Sequence, residues 1–254
     1  MYRGHRVLVV IPARDEAVLL PRTLRELPSF VDRVVVVDDA STDGTGRAAY
    51  DTARPGLVVA RHAENRGVGG AIVTGYRHAL RSGADLVVVV GADAQMDPAE
   101  MNRLLDPLVE GLADYVKGDR MGHPEVLRRM PWVRYFGNVV LTAFTRWSSG
   151  YGNLRDAQCG YTAITRKLLA QTPLDDLYPG YGFPNDLLAK LAEVGARVVD
   201  RPVTPIYEGE RSGIRVLHVI GPITLLLLRS GLRRWRRQRG QSAPKATTES
   251  RLPH

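Results

Sequence analysis

Val34-Val35-Val36-Val37-Asp38-Asp39-Ala40-Ser41-Thr42-Asp43-Gly44-Thr45 passes from four consecutive valines straight into a polar, glycine-containing turn. An unbroken β-branched run suits a strand buried on both faces, as in the centre of a helix-covered parallel sheet. Val7 to Ile11, Leu57 to Ala60 and Leu86 to Val90 are further short runs of this kind, and Arg33 to Val37 completes the set. The intervals are long enough for crossover helices, so the alternation predicts an α/β domain with a mainly parallel sheet. Ligands of such sheets sit at the carboxyl ends of the strands. The residues just after Ile11, Val37 and Val90 are therefore the first candidates for a site.

Further along, Asp97-Pro98-Ala99-Glu100 reads as a capping box opening a helix to about Glu110. Ala113 to Lys117, Tyr161 to Thr165 and Arg197 to Val203 read as strands, and Asn185 to Val194 as a helix. Met130 to Ser148, aromatic and aliphatic with interspersed arginine, fits a helix or helix pair on a sheet edge or facing lipid. Val216 to Leu228 is apolar over thirteen residues, short of the roughly 20 needed to cross the hydrocarbon core. Arginines and Trp235 follow it directly, which suits a helix lying in the interface of an anionic membrane. The alternative is a terminal helix packed on the body. These features divide the chain into a domain over 1–215, an apolar and basic segment over 216–240, and a polar tail over 241–254 expected to be disordered.

With 254 residues, 44% hydrophobic and 24% charged, the chain has ample material for a packed core. Its net charge of +8 is unevenly placed. Arg229 to His254 hold seven arginines and one lysine against Glu249, a local +7 that leaves +1 on the body. A duplex-binding domain carries its basic surface on the folded part, so nucleic acid is not an expected partner. The one cysteine, Cys159, excludes an internal disulfide and a thiolate zinc cluster. Met1 to Arg6 lacks the features of an export signal, which points to the cytoplasm.

Polar clusters follow three of the strands. Pro12-Ala13-Arg14-Asp15-Glu16 comes first; Asp38-Asp39 then offers carboxylates to a base or ribose, with Ser41 and Thr42 placed to cap the next helix. Asp93 and Gln95, oxygen-bearing side chains at alternate positions, suit a hard divalent cation that also binds phosphates. Asp97 fits a helix cap. Asn65-Arg66-Gly67-Val68-Gly69-Gly70 opens a helix, but Ile72 stands where a dinucleotide loop has its third glycine. Either a close-approach turn beside a nucleotide or plain loop structure fits it.

Together these segments resemble family two glycosyltransferases of the GT-A fold, and within them the dolichyl-phosphate or polyprenyl-phosphate sugar transferases. The resemblance covers roughly residues 6 to 215. VLVVIPARDEA is similar to the family's opening strand and P-x-x-N-E turn, with Asp15 in place of Asn, and VVVVDDASTDGT and NRGVGGAIVTGY match its next two motifs. It implies that Pro12, Arg14, Glu16, Asp39, Ala92 and Asp93 bind the nucleotide. Asp93 and Gln95 resemble the end of a D-A-D-x-Q motif whose first Asp is here Gly91, and so would hold Mg²⁺ or Mn²⁺.

Lys117-Gly118-Asp119-Arg120 resembles a G-S-R segment, with Arg134 and Asn138 at the spacing of further acceptor contacts. Arginine's planar fork can bind two phosphate oxygens at once. Arg155-Asp156-Ala157-Gln158-Cys159-Gly160-Tyr161 resembles a D-x-x-C/S-G-F/Y motif, which makes Asp156 an acceptor-side residue; Cys159 reads as packing. Tyr207 to Ser212 resembles a late Y-x-G-E-x-S loop whose Arg211 is expected on the diphosphate. Asp93, Arg120, Arg134 and Arg211 are thus the expected catalytic set.

The implied reaction is inverting transfer from a nucleoside-diphosphate sugar, of GDP-mannose or UDP-glucose type, to a polyprenyl phosphate. It would take place at the inner face of the cell membrane, with the protein held peripherally. Removing residues 216–254 is expected to release the protein from the membrane and leave the fold intact. A saccharide or small-molecule hydroxyl acceptor is the alternative, with Asp156 as its base; a non-catalytic nucleotide-sugar-binding module is another.

Overall fold

The computed structural model describes residues 1–124, 126–206 and 216–241. Its elements in chain order are β1 (Val7–Ala13), α1 (Leu20–Glu26), β2 (Arg33–Asp38), α2 (Thr45–Tyr50), β3 (Leu57–Arg61), α3 (Gly67–Ser82), β4 (Leu86–Val89) and α4 (Met101–Val109). β5 (Tyr115–Asp119), α5 (Val126–Arg129), α6 (Trp132–Ser149), β6 (Thr162–Thr165), α7 (Arg166–Gln171), α8 (Phe183–Glu193), β7 (Val198–Pro202) and α9 (Val216–Gln241) follow.

One seven-stranded sheet runs in the order β3-β2-β1-β4-β6-β5-β7. β3, β2, β1 and β4 are parallel, whereas β6 is antiparallel to β4 and β5, and β5 pairs in parallel with β7. Alternate residues of β1 serve two cores, because successive side chains of a strand point to opposite faces. Val7, Val9 and Ile11 join Leu20, Leu24 and Leu104 on one side. Leu8 and Val10 join Ile72, Tyr76 and Leu187 on the other. The valine runs are thus buried on both faces, as expected of central strands.

The glycines of the Asn65–Gly70 stretch serve a contact within the protein. Gly67 has φ +79°, and side chains at Gly67 and Gly69 would collide with the carbonyl oxygens of Pro179 and Tyr178. Gly70 N donates to Pro179 O at 3.1 Å, which seals the start of α3 against the loop preceding α8. Gly75, one turn further, faces Val10.

Two local expectations need correction. Asp97 does cap, accepting from Ala99 N at 2.9 Å, but the turn it opens is a 3₁₀ turn, Pro98–Glu100. Glu100 does not close the capping box; its carboxylate takes the Thr204 amide at 2.7 Å and the Thr204 hydroxyl at 2.9 Å. Ser41 and Thr42 do not cap α2, whose N-cap is Gly44, because their side chains are engaged across to the first strand loop.

Met130 to Ser148 resolves into one long helix, α6, preceded by the short α5. α9 packs against α6 and α8. It buries Ile223, Leu227 and Ser230, sets Gly231 against the Trp147 ring, and donates from Arg234 Nη1 to Trp147 O at 2.9 Å. This segment is a wall of the body, covering one side of α6 and part of α8. Residues 207–215 and 242–254, which contain Arg211, the 215/216 boundary and nearly all of the polar tail, lie outside the described residues.

A methyl group at Gly75 would overlap the Val10 side chain. Gly75→Ala should therefore destabilise the fold by about 1–3 kcal/mol despite alanine's better helix propensity. An unchanged urea midpoint would show that α3 can shift off β1.

Candidate active site

The carboxyl ends of β2, β1 and β4 lie side by side, with Pro12 opposite Val37 and Ala13 opposite Asp38. Each is followed by a non-glycine residue in left-handed backbone: Asp15 (φ +55°), Ala40 (φ +59°) and Ala94 (φ +54°). Such conformations cost about 1–3 kcal/mol each and concentrate at functional sites. Hydrogen bonds lace the first two loops together. Asp15 Oδ1 accepts from Thr42 N at 2.7 Å, and Asp15 N donates to Ser41 Oγ at 3.0 Å. Glu16 N donates to Thr45 Oγ1 at 2.8 Å, and Ala17 N to Asp43 Oδ2 at 3.0 Å. Arg14, half-exposed, sits 3.6 Å from Asp15.

The acidic pair divides its labour. Asp38 is fully buried and accepts from Ser41 N at 2.8 Å, shaping the turn. Asp39 Oδ1 accepts from Arg66 N at 2.8 Å and lies 2.7 Å from His62 Nδ1. His62 directly follows β3, where Asn65 to Gly70 were singled out above and His62 was not. The signal was present in the register, since β3 pairs with β2 as Asp38 opposite Arg61.

On β4's extension, Ala92 is buried, and its carbonyl accepts from Thr23 Oγ1 at 3.5 Å. Asp93 Oδ1 accepts from Gln95 N at 3.2 Å. A side chain at position 91 would crowd that Asp93 oxygen, so Gly91 leaves the carboxylate room to fold back. Among the described residues no group of three or more His, Cys, Asp or Glu side chains could hold a metal ion. Asp93 and Gln95 nonetheless supply hard oxygen donors. That set fits an Mg²⁺- or Mn²⁺-type ion most of whose ligands are phosphate and water oxygens.

A small cavity of about 20 Å³, room for about one water molecule, joins Gln95 and Met96 to Arg120, Cys159, Tyr161 and Thr204. Gln95 and Arg120 therefore share one wall. Arg120 grips the fully buried Asp156 in a bidentate pair, Nε to Oδ2 at 2.7 Å and Nη2 to Oδ1 at 3.1 Å. Burial pushes the Asp156 carboxyl up, but the Arg120 charge and hydrogen bonds, with Lys117 behind, outweigh it and hold it below its ordinary value. Burial pushes the Cys159 thiol up, and the residue is 1% exposed, so it acts in packing. Arg134, part-exposed, stands on the first turn of α6. Asn138, one turn on, is buried with its amide 3.8 Å from Met130 Sδ.

A mainly parallel α/β sheet with laced acidic loops at the ends of its strands is the arrangement expected of a sugar-transferring enzyme of the GT-A class. The chain belongs to the family described as "Glycosyl transferase family 2", whose model matches residues 8–172. It is 34% identical over 243 residues to the undecaprenyl-phosphate mannosyltransferase of Micrococcus luteus, spanning 91% of this chain and 96% of that one. It is 33% identical over 205 residues to the polyprenol monophosphomannose synthase of Mycolicibacterium smegmatis, spanning 78% and 77%. Among solved structures, glucosyl-3-phosphoglycerate synthase from Mycobacterium tuberculosis, in complex with Mn²⁺, UDP-glucose and phosphoglyceric acid, superimposes with a TM-score of 0.68. The identity is 21%, and the match covers 90% of this chain and 80% of that one. That likeness shows the fold.

Behind Asp156, Lys117 stands opposite Asp200 in the β5–β7 register and donates from Nζ to Cys159 O at 2.6 Å. Asp200 Oδ2 accepts the Arg155 amide, while Oδ1 is buried without a partner among the described residues. Burial is the chief reason that its carboxyl is pushed up to about 6, with Asp119 and Asp156 adding repulsion. A raised carboxyl contributes stability that is complete below its ordinary value of 3.8 and lost as pH rises through about 6. Asp200→Asn should thus raise the unfolding free energy at pH 7.5, on the order of 1–2 kcal/mol, and leave it unchanged at pH 3.5. Urea titrations at the two pH values check this; an equal shift at both would remove the titration from the account.

Proposed function

We propose that the protein transfers a hexose from a nucleoside-diphosphate sugar to the phosphate of a polyprenyl carrier, seated peripherally on the inner face of the cell membrane. The observation that carries this reading is the outer face of α6. Trp132 (80% exposed), Phe136 (65%), Val140 and Phe144 follow one another at four-residue spacing, and α9 beside it exposes Leu228 and Trp235. Soluble proteins rarely expose so many large apolar groups together, unless a membrane or partner covers them. No helix among the described residues is long and apolar enough to cross a membrane. The arginines of α9, with Arg229 and Arg233 exposed, favour an anionic surface.

The acceptor class is supported by the names of the Micrococcus and Mycolicibacterium relatives and by the state of Asp156. A hydroxyl acceptor needs a base. Asp156 has both oxygens committed to Arg120 and a carboxyl held low, which suits it poorly to take a proton. A phosphate monoester is already anionic near neutral pH and attacks the anomeric carbon directly. Asp156 instead orients Arg120, which with Arg134 and Asn138 receives that phosphate. Pro12, Arg14, Glu16, Asp39, Ala92 and Asp93 receive the nucleotide, and Arg211 the departing diphosphate. Asp93 and Gln95 would hold Mg²⁺ or Mn²⁺, which when bound supplies positive charge to the leaving group. The remaining catalysis is orientation of two anions by fixed arginines. The relatives' names favour mannose as the sugar.

Incubating the protein with GDP-mannose, UDP-glucose and other nucleoside-diphosphate sugars, undecaprenyl phosphate and Mg²⁺ or Mn²⁺ should give lipid-linked sugar from one donor. EDTA should abolish the product and added metal restore it. Transfer only to sugar or small-molecule hydroxyls would overturn the acceptor assignment. In vesicle flotation, the full chain should bind phosphatidylglycerol vesicles, and Trp132→Glu with Phe136→Glu should weaken partitioning about tenfold or more. Equal flotation of variant and wild type would place the membrane contact elsewhere.

A further inference from the structure

Asp39 presents an asymmetric carboxylate. Oδ1 takes two partners, the Arg66 amide at 2.8 Å and His62 Nδ1 at 2.7 Å. Among the described residues no group bonds Oδ2. A carboxylate can accept about four hydrogen bonds, so two on one oxygen fix its plane and turn the other oxygen toward whatever the site binds.

His62 is itself held. It is 6% exposed, its own amide donates to Asp38 O at 2.9 Å, and its Nε2 lies 2.9 Å from Thr74 Oγ1 on α3. The Thr74 hydroxyl also lies 3.1 Å from Gly70 O, within the turn that the Pro179 loop seals. Thr74, His62 and Asp39 thus form a relay of hydrogen bonds from α3, through the end of β3, to the end of β2. A surface histidine would need no such backing. A buried ring bonded at both nitrogens is locked in orientation.

We propose that His62 is a positioning residue for donor recognition. It sets the Asp39 carboxylate so that Oδ2 can accept from an N–H of the base or a hydroxyl of the ribose, and it does not touch the nucleotide itself. The proposal rests on the nucleotide reading of Asp39 given above. Thr74 is the second member of the relay, and the glycine-rich turn contributes through Thr74 and the Arg66 amide.

The test is calorimetric titration of the full-length protein with GDP and with UDP, beside steady-state kinetics with the donor that supports transfer. His62→Phe, which keeps a ring and loses both nitrogens, should weaken nucleoside diphosphate binding about tenfold. Donor KM should rise to match, with kcat and acceptor KM within about threefold of wild type. His62→Asn, which keeps an N–H near the Nδ1 position, should restore most of the affinity. In an Asp39→Ala background, His62→Phe should have no further effect on binding. Wild-type affinity in the Phe variant, or additive losses with Asp39→Ala, would overturn the proposal. Should the Phe variant not fold, His62→Asn decides: near wild-type affinity supports the proposal, and a tenfold loss overturns it. Wild-type protein that binds neither GDP nor UDP would remove the nucleotide reading, and this proposal with it.

Discussion

Everything at the site depends on the parallel pairing of β1 with β2 on one side and β4 on the other. Parallel strands all end at the same edge, so three loops remote in sequence are delivered to one place with their chain direction, and their free backbone groups, aligned. The hydrophobic contribution that holds this arrangement comes from valines buried on both sheet faces. Because a one-residue slip would reverse which core each side chain enters, the register is specified tightly. The loops can then carry unfavourable backbone angles at Asp15, Ala40 and Ala94 without loss of the fold.

A second layer of constraint is polar. Asp15 and Asp38 tie turns, one across loops to Thr42 and one within its own loop to Ser41. On the other half of the sheet, Arg120 and Asp156 form a buried pair, and Lys117 and Asp200 stand behind it. Removing one member of a buried pair leaves an uncompensated charge, which typically costs about 3–5 kcal/mol. The two halves of the sheet are thus held for different reasons: backbone-directed hydrogen bonds in one, charge pairing in the other.

The parallel half of the sheet was legible because β-branched runs are a strong local signal, as at Val34–Val37 and Val87–Val90. Asp39, Asp93 and Arg120 could be singled out because they follow strands or sit in recognisable motifs. What stayed hidden depended on register and on long-range packing. His62 could be found only by aligning the end of β3 with that of β2. Glu100 looked like a local cap, but Thr204, about a hundred residues on, competed successfully for its carboxylate. Ser41 and Thr42 likewise had a non-local alternative in Asp15. The glycines at the start of α3 were open to either a turn beside a nucleotide or plain loop structure, and the Pro179 loop supplies a contact that requires them. The apolar stretch at Val216–Leu228 supported two placements, and the packing of Gly231 on Trp147, with the Arg234 hydrogen bond to Trp147 O, shows that α9 leans on α6.

That last contact bears on how the chain matures. Among the described elements α9 is the last in chain order, so the strands and α6 leave the ribosome before it. Until it docks, α6 is open on the side that α9 will cover as well as on the side that carries Trp132 and Phe136. A nascent chain at this stage is the kind of half-covered intermediate that is prone to aggregation. Docking of α9 covers one side of α6 and leaves the side that carries Trp132 and Phe136 facing outward.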